Sequence, residues 1–81
     1  MRIVWDEPKR LINLDKHGLD FADLDEDFFL GAIIVEAKLG RYAAIGWLNG
    51  VITVVFATLG VEAISVISMR PASTSERRLL R

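Results

Sequence analysis

Residues 41–58 read RYAAIGWLNGVITVVFAT, two apolar runs rich in strand formers on either side of Asn49-Gly50. Asn-Gly between such runs signals a tight hairpin, because both residues tolerate the positive φ that primed turns need and those turns match strand twist. A two-residue type I′ turn predicts the pairs Leu48–Val51, Trp47–Ile52, Ile45–Val54, Ala43–Phe56 and Arg41–Thr58. The core face would then hold Trp47, Ile45, Ile52, Val54 and Phe56, with Arg41 at its open end. Tyr42, Ala44, Gly46, Thr53, Val55 and Ala57 would take the other face. Residues 42–61 carry no charge and match a spanning helix of about 20 residues in length, but the Asn-Gly turn and the scattered Gly and Thr residues favour the hairpin.

Working outward, Ile33-Ile34-Val35 opens a strand that ends before Gly40, and Arg2-Ile3-Val4-Trp5 reads as a short first strand. Asp6 is placed as a helix N-cap, with Glu7 and Pro8 in the first turn. That helix runs to about Lys16, takes its apolar residues from Leu11, Ile12 and Leu14, and has Gly18 as its C′ residue. A second helix is predicted from Asp20, with Asp23 as a weak capping-box analogue and Phe21, Leu24 and Phe28 at helical spacing. The acids Asp20, Asp23, Asp25, Glu26 and Asp27 read as a solvated face near a helix N-terminus rather than a metal site. Downstream, Gly60 marks a turn, Val61 to Met69 a strand closed by Pro71, and Ser73-x-x-Glu76 a capping box that starts a short last helix. The expected architecture is one α/β (α+β) domain over residues 1–81. It has a short N-terminal strand, two helices, an antiparallel meander of three to four strands and a short C-terminal helix. Trp5, Phe28, Trp47 and Phe56 are assigned to its core.

Composition narrows the chemistry. The chain has no Cys and one His, which excludes disulfides, zinc thiolates and a multi-histidine metal site within one chain. No cofactor or metal is called for. The N-terminus turns acidic too early for a signal peptide, and the expected location is the cytoplasm. Net charge is −1, yet residues 1–39 hold five bases and nine acids, whereas residues 40–81 hold five bases and two acids. Every base of the second half is Arg, a residue suited to planar, bidentate contact with phosphate or carboxylate. At 52% hydrophobic residues, so small a chain is expected to hide part of its surface against a partner or a second copy.

Three stretches together resemble one family. They are Ile3-Val4-Trp5-Asp6 with Lys9 and Lys16-His17-Gly18; Gly40-Arg41-Tyr42 with Ala44-Ile45-Gly46; and Ile67-Ser68-Met69-Arg70-Pro71-Ala72 with Glu76 and Arg77. In that order, over nearly the whole chain, they are similar to BrnT-type toxins of bacterial type II toxin–antitoxin pairs. The resemblance implies a compact fold related to RelE-like ribonucleases, an endoribonuclease that stops translation, and a DNA-binding BrnA-type antitoxin as partner. It further implies a hetero-oligomer, such as a heterotetramer, that reaches operator DNA only through the antitoxin. The chain departs from the family in stopping at Leu79-Leu80-Arg81, where relatives continue and often carry an aromatic.

Metal-free RNA cleavage needs a base for the ribose 2′-hydroxyl, cations for the developing phosphorane and an acid for the leaving oxygen. RelE-like enzymes meet this need more with Arg, Lys and Tyr than with a histidine pair. The candidate catalytic residues are Arg41, Arg70, His17 and Tyr42. Arg41 and Arg70, each at a strand end, would clamp phosphate, or else form salt bridges with Glu36 or Glu62. Tyr42 would stack on a base or pass a proton, or else pack on the second sheet face. Histidine is the ordinary acid/base side chain of neutral-pH chemistry, which makes His17 a candidate, and an imidazolium at a helix C-terminus would equally favour the dipole. Lys38, Arg77, Arg78 and Arg81 would attract RNA or hold the antitoxin. The competing function is a non-catalytic module that binds a small partner protein. A DNA-binding domain is weaker, because no helix-turn-helix with a basic recognition helix is present.

Overall fold

The computed structural model describes residues 1–80. Its elements are β1 (Arg2–Trp5), α1 (Glu7–His17), a 3-10 turn (Phe21–Asp23), α2 (Glu26–Leu30), β2 (Ile33–Glu36), β3 (Tyr42–Trp47), β4 (Val51–Leu59), β5 (Ala63–Pro71) and α3 (Thr74–Arg78). The strands form one sheet in the order β1-β5-β4-β3-β2. Four of them are the expected antiparallel meander, and β1 lies parallel to β5, pairing Arg2–Ala63 through Trp5–Val66. No helix among the described residues is long and apolar enough to cross a membrane.

The hairpin forms, but one residue out of the expected register. Its pairs are Trp47–Val51, Gly46–Ile52, Ile45–Thr53, Ala44–Val54, Ala43–Val55 and Tyr42–Phe56, so Leu48-Asn49-Gly50 is a three-residue loop. Asn49 and Gly50 both take positive φ, 53° and 127°, and the Leu48 N–H donates to the Gly50 carbonyl at 2.8 Å. Side chains alternate along a strand, so a slip of one exchanges the faces of β3 relative to β4. Tyr42, Ala44 and Gly46 therefore share the core face with Ile52, Val54 and Phe56, while Ile45 and Trp47 turn to the second face. Trp47 is not a core residue; it is 69% exposed. Arg41 pairs with no β4 residue and lies in the turn before β3.

The core face is covered by Phe21, Leu24 and Phe28, which pack on Ala44, Ile52, Val54, Phe56, Ile64, Val66 and Met69. Gly46 is required by close approach: a Cβ there would sit 3.0 Å from the Phe28 ring and 3.2 Å from the Ala32 Cβ. The predicted second helix is broken, because two acids each cap a start. Asp20 accepts the Ala22 N–H at 2.9 Å, Leu24 is extended, and Asp25 then accepts the Phe28 N–H at 3.0 Å. Asp23 supplies no capping bond. Strand β5 starts two residues later than predicted, since Val61 lies fully exposed in the turn at Gly60, and it runs on through Pro71. Against the second face, Ala72 and Leu80 meet Ile45 and Val51 in a smaller cluster.

Helix α1 ends as expected on Gly18 (φ 68°), whose N–H donates to the Leu14 carbonyl at 2.8 Å. Its Asp6 makes no side-chain cap bond. Its predicted apolar face is turned outward, with Leu11 53% and Ile12 67% exposed. The buried residue is Asn13, at 6%. Strand β1 stops opposite Val66, so beyond that point the outer edge of β5 has no strand beside it. Asn13 takes that place: its Oδ1 accepts the Met69 N–H at 3.0 Å and its Nδ2 donates to the Leu19 carbonyl at 3.1 Å. An unpaired buried backbone group costs more than the apolar contact of a leucine returns. Asn13→Leu is expected to lower stability by roughly 3 kcal/mol, whereas Ile12→Lys, on the exposed side, shifts it by no more than about 0.5 kcal/mol. Urea unfolding of the two variants checks which side of α1 faces the sheet.

Candidate functional site

The sequence-predicted residues fall in separate places. Arg41 and Lys38 share the turn between β2 and β3, where the Arg41 N–H donates to the Lys38 carbonyl at 3.3 Å. A shallow hollow of about 200 Å³ there is lined by Glu36, Ala37, Gly40, Arg41 and Tyr42. Tyr42 faces the helix-covered side and stacks on Phe56, with centroids 5.7 Å apart and planes at 29°. It packs, but not on the second face where it was expected. Arg70 projects from β5 beside Thr53, on the second face. The ladder Arg70–Thr53–Ile45 sets Arg41 two strands across and four residues along, roughly 16 Å from Arg70 by strand geometry. The two guanidiniums do not form one clamp.

Arg70 is held instead by Glu76, the acid of the α3 capping box. Its Nη1 and Nη2 donate to Oε1 and Oε2 of Glu76 at 2.7 and 2.9 Å. Glu76 Oε1 also accepts the Thr53 hydroxyl at 2.9 Å and the Ser73 N–H at 2.8 Å, and the Glu76 N–H returns to the Ser73 Oγ at 3.2 Å. The capping box is therefore also the joint that fixes α3 to β4 and β5. The bidentate Arg70 guanidinium, with the Ser73 and Thr53 donors, pulls the Glu76 carboxyl down to a pKa of about 2.

His17 sits in the strongest constellation. A groove of about 290 Å³ between α1 and β5 is lined by Lys9, Ile12, Asn13, Lys16, His17, Ile67 and Ser68. Residues four and seven or eight apart lie on one side of a helix, which brings Lys9, Asn13, Lys16 and His17 together. Across from them β5 is bulged: Val55 pairs with Ser68 and Phe56 with Val66, leaving Ile67 as the extra residue. No carboxylate lines the groove. Among the described residues neither lysine forms a salt bridge, while the neighbouring Arg10 is drawn away to Glu7 and Asp20. The half-buried His17 thus stands beside two unpaired ammonium groups, and Ser68 opens toward Arg70 two residues along the same face. The sequence signal for Lys9 and Lys16 as candidate site residues is their seven-residue spacing, which sets both on one side of a helix.

The remaining bases are on α3. Arg77 is fixed by its Nε, which donates to the Ala72 carbonyl at 3.2 Å, and Arg78 is exposed. Arg81 lies outside the described residues. The acidic stretch serves the fold, since Asp20 and Asp25 cap and Glu26 binds the Met1 ammonium at 3.1 Å. No group of three His, Cys, Asp or Glu residues among the described residues is placed to hold a metal ion.

A family model described as the ribonuclease toxin BrnT of type II toxin–antitoxin systems matches residues 5–76. The crystal structure of the Brucella abortus ribonuclease toxin, BrnT, aligns with a TM-score of 0.86 and 55% sequence identity, over 91% of this chain and 99% of that one. A search of curated protein sequences finds no match.

The Glu76 joint has a pH signature. Its carboxyl titrates lower in the folded chain than the ordinary 4.5, so the stabilisation is complete above that value and is lost as pH falls from about 4.5 to about 2. With Arg70 partly exposed, solvent reduces the pair to roughly 1–2 kcal/mol. Glu76→Gln is expected to remove this part of the acid dependence of the urea midpoint and leave the slope near neutral pH unchanged.

Proposed function

Because the chain belongs to the BrnT family of ribonuclease toxins of type II toxin–antitoxin systems, we propose that the groove between α1 and β5 is where it cleaves RNA. The observation that carries this reading is one imidazole and two unpaired ammonium groups meeting in a groove that no carboxylate lines. In the proposed reaction His17 takes the proton of a ribose 2′-hydroxyl. The freed oxygen attacks the adjacent phosphorus, and the bond to the 5′ oxygen of the next nucleotide breaks. Lys9 and Lys16 hold the non-bridging oxygens as charge builds on the phosphorane. One of the two ammonium groups gives a proton to the leaving 5′ oxygen and regains one from solvent afterwards, which leaves a 2′,3′-cyclic phosphate and a 5′-hydroxyl. This chemistry uses side chains alone, so the endonuclease is proposed to be metal-independent, a RelE-like trait.

Arg70 stays with Glu76 in this scheme and lends positive potential beside Ser68. Arg41 and Lys38, at the far end of the sheet, are proposed as outlying contacts for a long RNA, and Tyr42 as a packing residue behind them. The α3 arginines, Arg77 and Arg78 with Arg81 beyond them, are proposed to serve RNA and antitoxin in turn, since an inhibitor of a surface enzyme has reason to cover what the substrate uses. A type II toxin implies an antitoxin. We infer a BrnA-type DNA-binding protein in a hetero-oligomer that acts in the cytoplasm and meets operator DNA through the antitoxin. Exposed Leu11, Ile12 and Leu30 leave apolar surface that supports such a partner.

The test is cleavage of total RNA by the purified chain, freed of antitoxin, in excess EDTA. His17→Ala is expected to cut the rate by roughly 10²–10⁴-fold with melting temperature little changed, and Lys9→Ala with Lys16→Ala to cut it further than either alone. Cleavage that survives His17→Ala while stability falls would reduce that side chain to a partner of the helix dipole. Loss of all cleavage in EDTA by the unaltered chain would remove the metal-free mechanism.

A further inference from the structure

Among the described residues Trp47 is the one large aromatic that the fold leaves outside, although it belongs to a strand whose neighbours Ala43, Ala44, Ile45 and Gly46 are buried. It ends β3 on the second face and lines a hollow of about 240 Å³ with Val51, Arg77 and Leu80. The hollow has an apolar floor, an indole for one wall and a guanidinium for another, and no carboxylate in its lining. Arg77 is tethered at the rim by the bond from its Nε to the Ala72 carbonyl. The nearest acid on α3, Glu76, is already matched by Arg70. From the ladder, the Trp47 and Arg70 Cα atoms are roughly 12 Å apart on the same face.

Aromatic faces flanked by fixed positive charge are how proteins hold unpaired nucleic-acid strands: the ring stacks on a base and the cation meets the phosphate. We propose that Trp47, floored by Val51 and Leu80 and edged by Arg77, is a stacking platform for one unpaired base of the RNA substrate. The proposal rests on the ribonuclease reading above and extends it to a binding subsite away from the cleaved bond. Positive charge and the absence of acids favour RNA over an apolar protein segment as the occupant. Duplex RNA cannot use the platform, because its bases are already stacked.

The probe is a fluorescein-labelled decauridylate carrying 2′-O-methyl groups, which blocks cleavage by removing the attacking hydroxyl, and binding is read by anisotropy. Trp47→Ala is expected to weaken binding by roughly 5- to 150-fold, the range for losing one base–aromatic stack, while Trp47→Phe keeps most of the affinity. The same strand annealed to its complement should bind both variants alike. Circular dichroism confirms the fold, which an exposed side chain should not disturb. If the unaltered chain binds and cleaves RNA but Trp47→Ala binds the decauridylate equally well, the platform is wrong and the ribonuclease reading stands. If the unaltered chain neither binds nor cleaves, both fall. If Trp47→Ala loses only its co-expressed antitoxin, the residue is a partner contact and the platform is overturned.

Discussion

The register of the β3–β4 hairpin governs this molecule. Period-two alternation allows only two arrangements of β3 against β4, and the packing of α2 decides between them. Phe28 comes so close to β3 that the residue opposite it can hold no more than a hydrogen: the position a Cβ would occupy at Gly46 is already in contact with the ring and with Ala32. The two-residue register would have pressed Ile45 and Trp47 into the space that Ala44 and Gly46 now occupy. Adding a third residue to the loop, with Asn49 and Gly50 in left-handed conformations, is a small local cost beside that clash. Tyr42 is thereby placed over Phe56, Ile45 over the α3 cluster, and the indole of Trp47 in solvent.

A second constraint comes from the short first strand. Since β1 covers only the first part of β5, the sheet edge beyond Val66 needs another partner, and a single amide on α1 provides it. Asn13 can do so only if α1 turns its polar side inward. Leu11 then faces out, Ile12 is left exposed at the rim of the seam, and Lys9, Lys16 and His17 line it on either side of Asn13. The bulge at Ile67 lies across that seam and lines it. The groove is thus a by-product of how the edge is finished. A longer first strand would have closed it.

What could be read from the sequence was local. Gly18, the Ser73–Glu76 box, the Asp20 start and the hairpin itself act through backbone groups within four residues, and local chemistry dictates them; Asp25, assigned to a solvated face, instead caps a second start and breaks the predicted helix. Which side of α1 is buried was not legible, because Leu11, Ile12 and Leu14 outweigh one Asn in any count of hydrophobicity, while the deciding bonds go to Leu19 and to Met69, 56 residues away. Nor was the Arg70 partner legible. Glu36 and Glu62 were nearer the expected strand ends, and Glu76 had a sufficient reason to exist as a cap. One carboxylate accepting from Ser73, Thr53 and Arg70 together is a tertiary fact.

The division of labour between the two kinds of base follows from their geometry. A guanidinium offers a rigid fork of donors that matches a carboxylate or carbonyl at fixed positions, and the fold uses it so: Arg10 binds Glu7 and Asp20, Arg70 binds Glu76, and Arg77 binds the Ala72 carbonyl. An ammonium is a compact point charge on a flexible stem, less useful as a joint and better able to follow a phosphate whose charge shifts during reaction. Lys9 and Lys16 are the bases of α1 that make no salt bridge among the described residues, and they flank its histidine. Drawing Arg70 away to bind RNA would break the joint of α3 to the sheet, whereas drawing in either lysine disturbs no ion pair. In the proposed reaction, then, the weight of phosphate chemistry moves from the arginines favoured by the sequence to the lysines beside His17.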